Sequence, residues 1–153
     1  MIQETVGSIQ HGSRTHEIVI TGQTGVQFNG DESHITQVVT NLLSNAMKYS
    51  PEDKKIGVHL SVLSGFIKVA VTDHGIGIAK DEQAKVFDRF YRVSYVQQKF
   101  PGMGIGLYIC ASIVSNHNGT LWVESEPGKG STFSFTLPLT SNNTTKNGGD
   151  DVR

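Results

Sequence analysis

Two runs of β-type residues, separated by only two positions, constrain the fold of this chain most strongly. The runs are KIGVHLSVL (55–63) and FIKVAVTD (66–73), and the Ser64-Gly65 pair between them is typical of a hairpin turn. A doubly wound parallel sheet needs a helix between successive strands, so this hairpin excludes that architecture. The sequence therefore predicts a sheet with at least one antiparallel pair.

The remaining segments alternate between strand and helix patterns. Further β-rich runs predict strands near residues 16–21, 25–28, 119–125 and 131–139. Helical periodicity predicts helices over residues 31–49 and 105–117, and a short helix with an aromatic-rich turn over 79–92. Asp31 or Ser33 supplies capping chemistry for the first of these helices. The predicted fold class is α/β: a two-layer α/β sandwich in which helices cover one face of a mixed sheet.

The composition sets limits on the class of protein. Hydrophobic residues make up 37% and charged residues 18% of the 153 positions, which fits one globular domain. The formal net charge of -1 gives no electrostatic footprint for nucleic acid or an anionic membrane. The single cysteine, Cys110, excludes an internal disulfide and favours a reducing compartment. We therefore expect a cytoplasmic domain without direct membrane contact, followed by a disordered polar tail over residues 140–153.

A line of polar residues runs along the first long helix. Asn41 and Asn45 lie one turn apart, and Lys48 follows one turn further, beside a stripe of Ile, Val, Leu and Ala. Asparagine is a poor helix former, because its amide competes for backbone partners. An amide oxygen is a hard ligand suited to Mg²⁺, and a nearby ammonium suits phosphate. The flank is a candidate metal and phosphate site, while a solvated face with two amides explains the same pattern.

Two glycine-rich segments add complementary chemistry. In TDHGIGIA, Asp73 ends a strand and suits an exocyclic amine such as adenine N6, while Gly75 and Gly77 let a flat ligand approach the backbone. In PGMGIGLYI, glycines lead into a helix N-terminus whose N–H groups suit phosphate. Two common phosphate motifs are excluded, because Leu107 replaces the third glycine of G-x-G-x-x-G and GKGST lacks the upstream glycine of the P-loop. An ordinary glycine turn remains an alternative for either segment alone.

Together these segments resemble the nucleotide-binding signature of sensor histidine kinase catalytic domains, whose superfamily includes DNA gyrase, the Hsp90 chaperones and the MutL mismatch-repair proteins. NLLSNAMKYSP resembles the N box, DHGIGIA the G1 box, VFDRFYRV the F box and GMGIGLYI the G2 box. GKGSTFSFTLP resembles the terminal glycine-Thr strand, so the motifs occur in order over residues 16–138. The resemblance implies a Bergerat-type ATP-binding fold with ATP and Mg²⁺ as cofactors.

The resemblance also implies roles for individual residues. Those expected to act at the phosphates or the metal are Asn41, Asn45 as the Mg²⁺ ligand, Lys48 and Arg92. Those expected to bind the nucleotide or shape its pocket are Tyr49, Asp73, Gly75, Gly77, Gly102, Gly104, Gly106, Leu107 and Thr132. Tyr49 would pack against adenine, and Thr132 would lie at the polar edge of the pocket. Phe87 and Phe90 would anchor a lid formed by residues 93–104.

The same resemblance implies a domain organisation and partners. Residues 13–139 are expected to form the ATP-binding catalytic domain, and residues 1–12 to be the remnant of a linker or helix from a preceding dimerisation hairpin. The acceptor histidine would lie on that hairpin, and a response regulator receiver domain would take the phosphoryl group from it. His16 imitates the start of an acceptor motif, but HEIVITG is strand-like, so we expect that His16 is not the acceptor.

The subclass depends on the residue one turn before Asn45. ATP-hydrolysing relatives carry a glutamate there that activates water, whereas Asn41 cannot act as a general base at neutral pH. This favours the histidine kinase branch. An ATPase or serine kinase of the same superfamily and a silent nucleotide-binding relay module remain as alternatives, and a membrane anchor elsewhere in the full-length protein stays open.

Overall fold

A computed structural model describes the chain over residues 1–12, 16–22, 25, 27–51, 55–91 and 105–139. The helices in these ranges are α1 (Ile2–Gly12), α2 (Glu32–Tyr49) and α3 (Gly106–Asn116). The strands in these ranges are β1 (Ile18–Gly22), β2 (Ile56–Leu63), β3 (Phe66–Thr72), β4 (Leu121–Glu126) and β5 (Gly130–Pro138). Among the described helices, none combines the length and the apolar character that a bilayer crossing requires.

The five strands form one mixed sheet in the order β1-β2-β3-β5-β4. β1 and β2 are parallel, and the other neighbouring strands are antiparallel. Leu63 pairs with Phe66 across a two-residue turn in which Ser64 (φ 42) and Gly65 (φ 85) both adopt left-handed conformations. Such a turn matches the twist of the flanking strands. The predicted hairpin and mixed sheet are therefore confirmed.

Helix α2 is the central helix, and its start is fixed by a side-chain cap. Oδ1 of Asp31 accepts the backbone N–H groups of Ser33 at 2.9 Å and His34 at 3.2 Å. The helix ends where Ser50 turns extended ahead of Pro51. Its apolar stripe is fully covered, and the buried residues are Ile35, Val38, Val39, Leu42, Leu43 and Ala46.

The helices pack against one face of the sheet, and the core lies between the two layers. Helix α2 contacts α1, α3 and strands β2 and β3. Along β3, Ile67, Val69 and Val71 are buried, whereas the alternate residues Lys68 and Ala70 are only half-buried. This alternation is that of a sheet with one covered face. The predicted two-layer sandwich is thus confirmed.

Two predicted elements differ in the structure. In place of the strand predicted over 25–28, the described residues of that segment form a single bridge, between Phe28 and Leu139, because the chain turns at once into the cap of α2. The short helix predicted over 79–92 is instead, over 79–91, a series of turns with hydrogen bonds three residues apart, such as Lys85 N–H to Glu82 O. The side-chain amide of Gln83 binds the backbone oxygens of Ile78 and Ser125, so contacts with other segments set this shape.

Helix α1 packs as part of the domain. Ile2 and Val6 are 5% and 2% exposed and belong to the same core cluster as α2 and the sheet. Its predicted origin, as a remnant of a preceding hairpin, stays a prediction. The predicted lid over 93–104 and the predicted tail over 140–153 lie outside the described residues.

Candidate functional site

A buried carboxylate lies at the end of β3. The Asp73 residue is 7% exposed, and its Oδ1 accepts the backbone N–H groups of Gly75 at 2.8 Å and Ser131 at 3.2 Å. No donor among the described residues binds Oδ2, which leaves that oxygen available to a ligand. Burial raises the pKa of Asp73, and the two backbone hydrogen bonds and nearby His74 offset this in part. The Asp73 carboxylate is therefore suited to accept a hydrogen bond from a ligand that binds in this site.

The turn after Asp73 is held between two other backbone segments. A Cβ at Gly75 would lie 2.4 Å from the carbonyl oxygen of Tyr49. At Gly77 the φ angle is +73, and a Cβ would lie 2.0 Å from the carbonyl oxygen of Glu126. These glycines thus admit the protein's own backbone, at the C-terminal end of α2 and at the β4–β5 turn. They shape the site by letting Asp73 sit deep between these elements.

The C-terminal end of α2 is tied to the Asp73 turn and to the segment before β1. The buried Ser50 hydroxyl oxygen accepts the backbone N–H of His74 at 3.3 Å. Nε2 of His16 lies 3.2 Å from the backbone carbonyl oxygen of Ser50 and 3.0 Å from that of Pro51. Because both of these oxygens can only accept, Nε2 carries the proton and donates to both. His16 is 6% exposed and precedes β1, which begins two residues later than predicted. The buried ring of His16 thus stabilises the C-terminal end of α2 through hydrogen bonds.

The polar flank of α2 lies where the sequence predicted it. Asn41 and Asn45 are half-buried beside the buried stripe, and Lys48 is exposed. Nζ of Lys48 lies 5.4 Å from the centre of the Tyr49 ring. Toward its C-terminal end, which contacts the Asp73 turn, α2 therefore carries in succession two amides, an ammonium group and an aromatic ring.

At the start of α3, none of the described residues crowds the helix. The residue before the helix, Ile105, makes no capping hydrogen bond with its side chain, and a Cβ added at Gly106 would meet no atom of the described residues within 4 Å. The first backbone N–H groups of the helix are suited to an anion. Leu107 is half-buried and packs against the core. The predicted phosphate residues Arg92, Gly102 and Gly104 lie outside the described residues.

Thr132 does not join this cluster. Oγ1 of Thr132 lies 3.0 Å from Oγ1 of Thr72. Successive residues of a strand point to opposite faces of the sheet, so the side chains of Thr132 and Ser131 lie on different faces of β5. Ser131 is buried, binds Asp73 through its N–H, and its hydroxyl lies 2.7 Å from that of Ser125. The sequence analysis missed Ser131, although strand alternation from the buried Phe133 would have placed it on the Asp73 side.

A contact between α2 and α3 was also missed. Nδ2 of Asn41 lies 3.6 Å from Sγ of Cys110, a fully buried residue of α3. Burial raises the pKa of Cys110 to about 11, so the thiol stays protonated at neutral pH. Cys110 is therefore a protonated thiol within the core cluster. In the described ranges, no three His, Cys, Asp or Glu side chains are grouped to hold a metal ion, so a cation at this site would depend on amide oxygens.

Comparison with known proteins gives consistent matches. A family model described as "Histidine kinase-, DNA gyrase B-, and HSP90-like ATPase" matches residues 30–141. The chain is 39% identical over 141 residues to the sensor-like histidine kinase SenX3 of Mycolicibacterium smegmatis, covering 90% of this chain and 37% of that protein. It is 45% identical over 111 residues to the sensor histidine kinase WalK of Bacillus subtilis, covering 71% of this chain and 18% of that protein.

Solved structures show the same fold. The mycobacterial sensor histidine kinase MprB superposes with a TM-score of 0.79 at 31% identity, covering 90% of this chain and 91% of that one. The catalytic domain of histidine kinase ThkA superposes with a TM-score of 0.78 at 26% identity, covering 92% and 91%. The chain spans about a third of SenX3 and under a fifth of WalK, so the matched proteins contain further segments.

Proposed function

Because this chain belongs to the family of histidine kinase-, DNA gyrase B- and HSP90-like ATPases, we propose that it is the ATP-binding catalytic domain of a sensor histidine kinase. In this role it donates the γ-phosphate of ATP to a histidine on a separate dimerisation hairpin, from which the phosphoryl group passes to a response regulator. Family membership implies nucleotide use; the specific transfer rests on the site and on the relatives' names.

The observation that carries the proposal is the buried carboxylate of Asp73. Its Oδ1 is fixed by two backbone N–H groups, and Oδ2 has no donor among the described residues. The amino group of adenine is a donor that fits such an acceptor. Tyr49 lies at the end of α2, where its backbone oxygen borders Gly75 in the turn after Asp73, and its ring would supply an apolar surface for the base. Ser131 takes the polar position next to the carboxylate that the sequence analysis gave to Thr132.

The phosphate end of the nucleotide is assigned to the other polar groups. Asn45 would hold Mg²⁺ through its amide oxygen, since the flank of α2 offers neutral oxygen ligands and, among the described residues, no carboxylate cluster. Mg²⁺ bound there would neutralise charge on the phosphates. Lys48 would bind phosphate oxygens, and the first N–H groups of α3 would bind them as well. Arg92, Gly102 and Gly104 remain predictions for the same region.

The choice of a kinase over an ATPase rests on Asn41. An amide has no basic site at neutral pH, so this residue cannot take a proton from water. The site would therefore hold ATP without activating water and leave the γ-phosphate to a nucleophile from outside. His16 is not that nucleophile, because its ring is buried and its Nε2–H is committed to two carbonyl oxygens.

The test is phosphate transfer in trans. The chain incubated with γ-labelled ATP and Mg²⁺ should bind nucleotide, release phosphate slowly and acquire no acid-labile label. Addition of a separately prepared dimerisation hairpin that carries an acceptor histidine should give label on that histidine, and a hairpin with the histidine replaced by glutamine is the control. Rapid phosphate release with no transfer would favour the ATPase alternative, and binding with neither reaction would favour the silent module.

A further inference from the structure

Cys110 makes two polar contacts that an ordinary core residue would not make. Its Sγ lies 3.6 Å from Nδ2 of Asn41 and 3.9 Å from the backbone oxygen of Val38, both on α2. The two helices pack against each other with α3 antiparallel to α2, since His117 at the end of α3 accepts the N–H of Asp31 before the start of α2. The sulfur of Cys110 therefore lies between the two helices, one turn after the start of α3 at Gly106.

The donor and acceptor roles at this sulfur follow from the chemistry of its partners. The oxygen of Val38 can only accept, so the single thiol hydrogen of Cys110 points toward it. The sulfur lone pairs are then the acceptor that faces Asn41. An amide –NH₂ group is a donor and an amide oxygen is not, so Nδ2 is the atom of Asn41 that faces the sulfur. Oδ1 lies at the other corner of the planar amide.

We propose that Cys110 is a positioning residue for Asn41, holding Nδ2 against the α2–α3 interface so that Oδ1 is turned to the phosphate end of the nucleotide site. The expected effect on cation binding rests on the proposed function, whereas the contact between Cys110 and Asn41 does not. With Oδ1 outward, Asn41 offers an acceptor to the hydration shell of the cation held by Asn45. With the amide reversed, it would offer two N–H donors instead, and the match to the cation would be lost.

An apolar residue at position 110 would fill the same space without choosing an amide orientation. Valine is apolar, exceeds cysteine in volume by about one methyl group, and has no lone pair. Serine keeps one hydrogen and two lone pairs, so it can reproduce both contacts. Cys110→Val and Cys110→Ser therefore separate the polar role of this residue from its packing role. Ile113→Val, a buried change one turn further along α3, is the matched packing control.

The first experiment uses the ligand-free chain. Side-chain amide resonances of Asn41 are followed by ¹H–¹⁵N NMR in wild type and the three variants. Cys110→Val should shift both Asn41 amide protons and raise their exchange with solvent about threefold or more, the loss expected for one neutral hydrogen bond, whereas Cys110→Ser and Ile113→Val should leave them near the wild-type positions. Unchanged Asn41 amide resonances in Cys110→Val would overturn the proposal, whatever the chain binds.

The second experiment measures the consequence. ATP affinity is measured by calorimetry with and without Mg²⁺, and the ratio of the two affinities is compared. Cys110→Val should reduce that ratio about three- to tenfold, which corresponds to the free energy of one neutral hydrogen bond. In an Asn41→Ala background, Cys110→Val should reduce the ratio no further, because the side chain that it positions is already absent. An equal loss in Ile113→Val, or full additivity with Asn41→Ala, would overturn the positioning role. If wild type bound no ATP, the proposed function would fail, and the NMR result would still decide the contact.

Discussion

The Asp73 carboxylate accepts a hydrogen bond from the backbone N–H of Ser131, a residue 58 positions later in the chain, at 3.2 Å. The same pair of residues is joined in the other direction, because the N–H of Asp73 donates to the oxygen of Ser131 at 2.9 Å. The acceptor of the site is therefore fixed by the pairing of β3 with β5. Among the described residues, both donors to Oδ1 of Asp73 are backbone N–H groups, those of Gly75 and Ser131.

Replacement of Asp73 by asparagine should separate folding from nucleotide binding. The asparagine oxygen can still accept from Gly75 and Ser131, but its –NH₂ group then occupies the position of Oδ2 and faces the adenine amino group. Loss of a hydrogen bond to a charged acceptor costs about 1.5–3 kcal/mol, so ATP affinity should fall about 10- to 150-fold in calorimetry. GTP, which has a carbonyl in place of that amino group, should bind wild type poorly. Equal affinity for ATP and GTP would contradict the assignment.

The same variant should show an altered pH dependence of stability in the absence of ligand. Burial raises the pKa of Asp73 in the folded state above its unfolded value of about 3.9, so the folded chain holds this proton more tightly. The stability that Asp73 contributes is full below pH ~4 and is lost as pH rises through the folded pKa. The free energy of unfolding of Asp73→Asn minus that of wild type should therefore increase as the pH rises above about 4 in urea titrations. A difference that decreased with pH would mean that the hydrogen bonds outweigh burial.

The fold was largely predictable because its signals are local. The hairpin at Ser64-Gly65, the Asp31 cap and the apolar stripe of α2 each follow from neighbouring residues, and the structure contains all three. The segment over 79–91 was not predictable in the same way. Its shape depends on Gln83 binding the oxygen of Ser125, which lies 42 residues away in the chain.

The site was predictable in part for a related reason. Asp73 and the two amides of α2 stand out because polar residues of those types interrupt apolar patterns. Cys110 has no such signal, since its contact with Asn41 depends on how two helices pack. The glycine roles show the same limit: sequence indicates that Gly75 and Gly77 admit something close to the backbone, but only the fold shows that it is the chain itself.

The glycines of the site should therefore respond differently to substitution by alanine. Gly77→Ala forces a side chain into a left-handed conformation, 2.0 Å from a backbone oxygen, and should reduce the free energy of unfolding by about 2–4 kcal/mol. Gly106→Ala places its methyl group at least 4 Å from every described neighbour at the start of α3 and should leave stability within about 1 kcal/mol of wild type. Thermal and urea unfolding of both variants would test this. A stable Gly77→Ala protein would contradict the turn geometry.

Substitution of His16 should affect the end of α2 and not the transfer chemistry. His16→Phe keeps a buried ring but removes the donor to the oxygens of Ser50 and Pro51, so it should lose about 1–3 kcal/mol of stability. If the folded variant is supplied with a dimerisation hairpin, it should still transfer phosphate, because the proposed acceptor histidine lies on that hairpin. His59→Phe on the exposed surface of β2 is a matched control with little expected effect on stability. Loss of hairpin labelling in folded His16→Phe would contradict the structural role.

The assignment of the cation to Asn45 gives the sharpest test of the phosphate end of the site. Asn45→Ala removes the amide oxygen from a half-buried position on α2, and alanine is the better helix former, so the fold should be kept or slightly stabilised. Calorimetry should show that added Mg²⁺ no longer strengthens ATP binding, whereas the affinity measured without Mg²⁺ should change little. Ser44→Ala, an exposed change one residue earlier on the same helix, is a suitable control and should retain the Mg²⁺ effect. If Asn45→Ala retained the full Mg²⁺ effect, the cation would have to be held by other groups, and the amide flank of α2 would lose its proposed role.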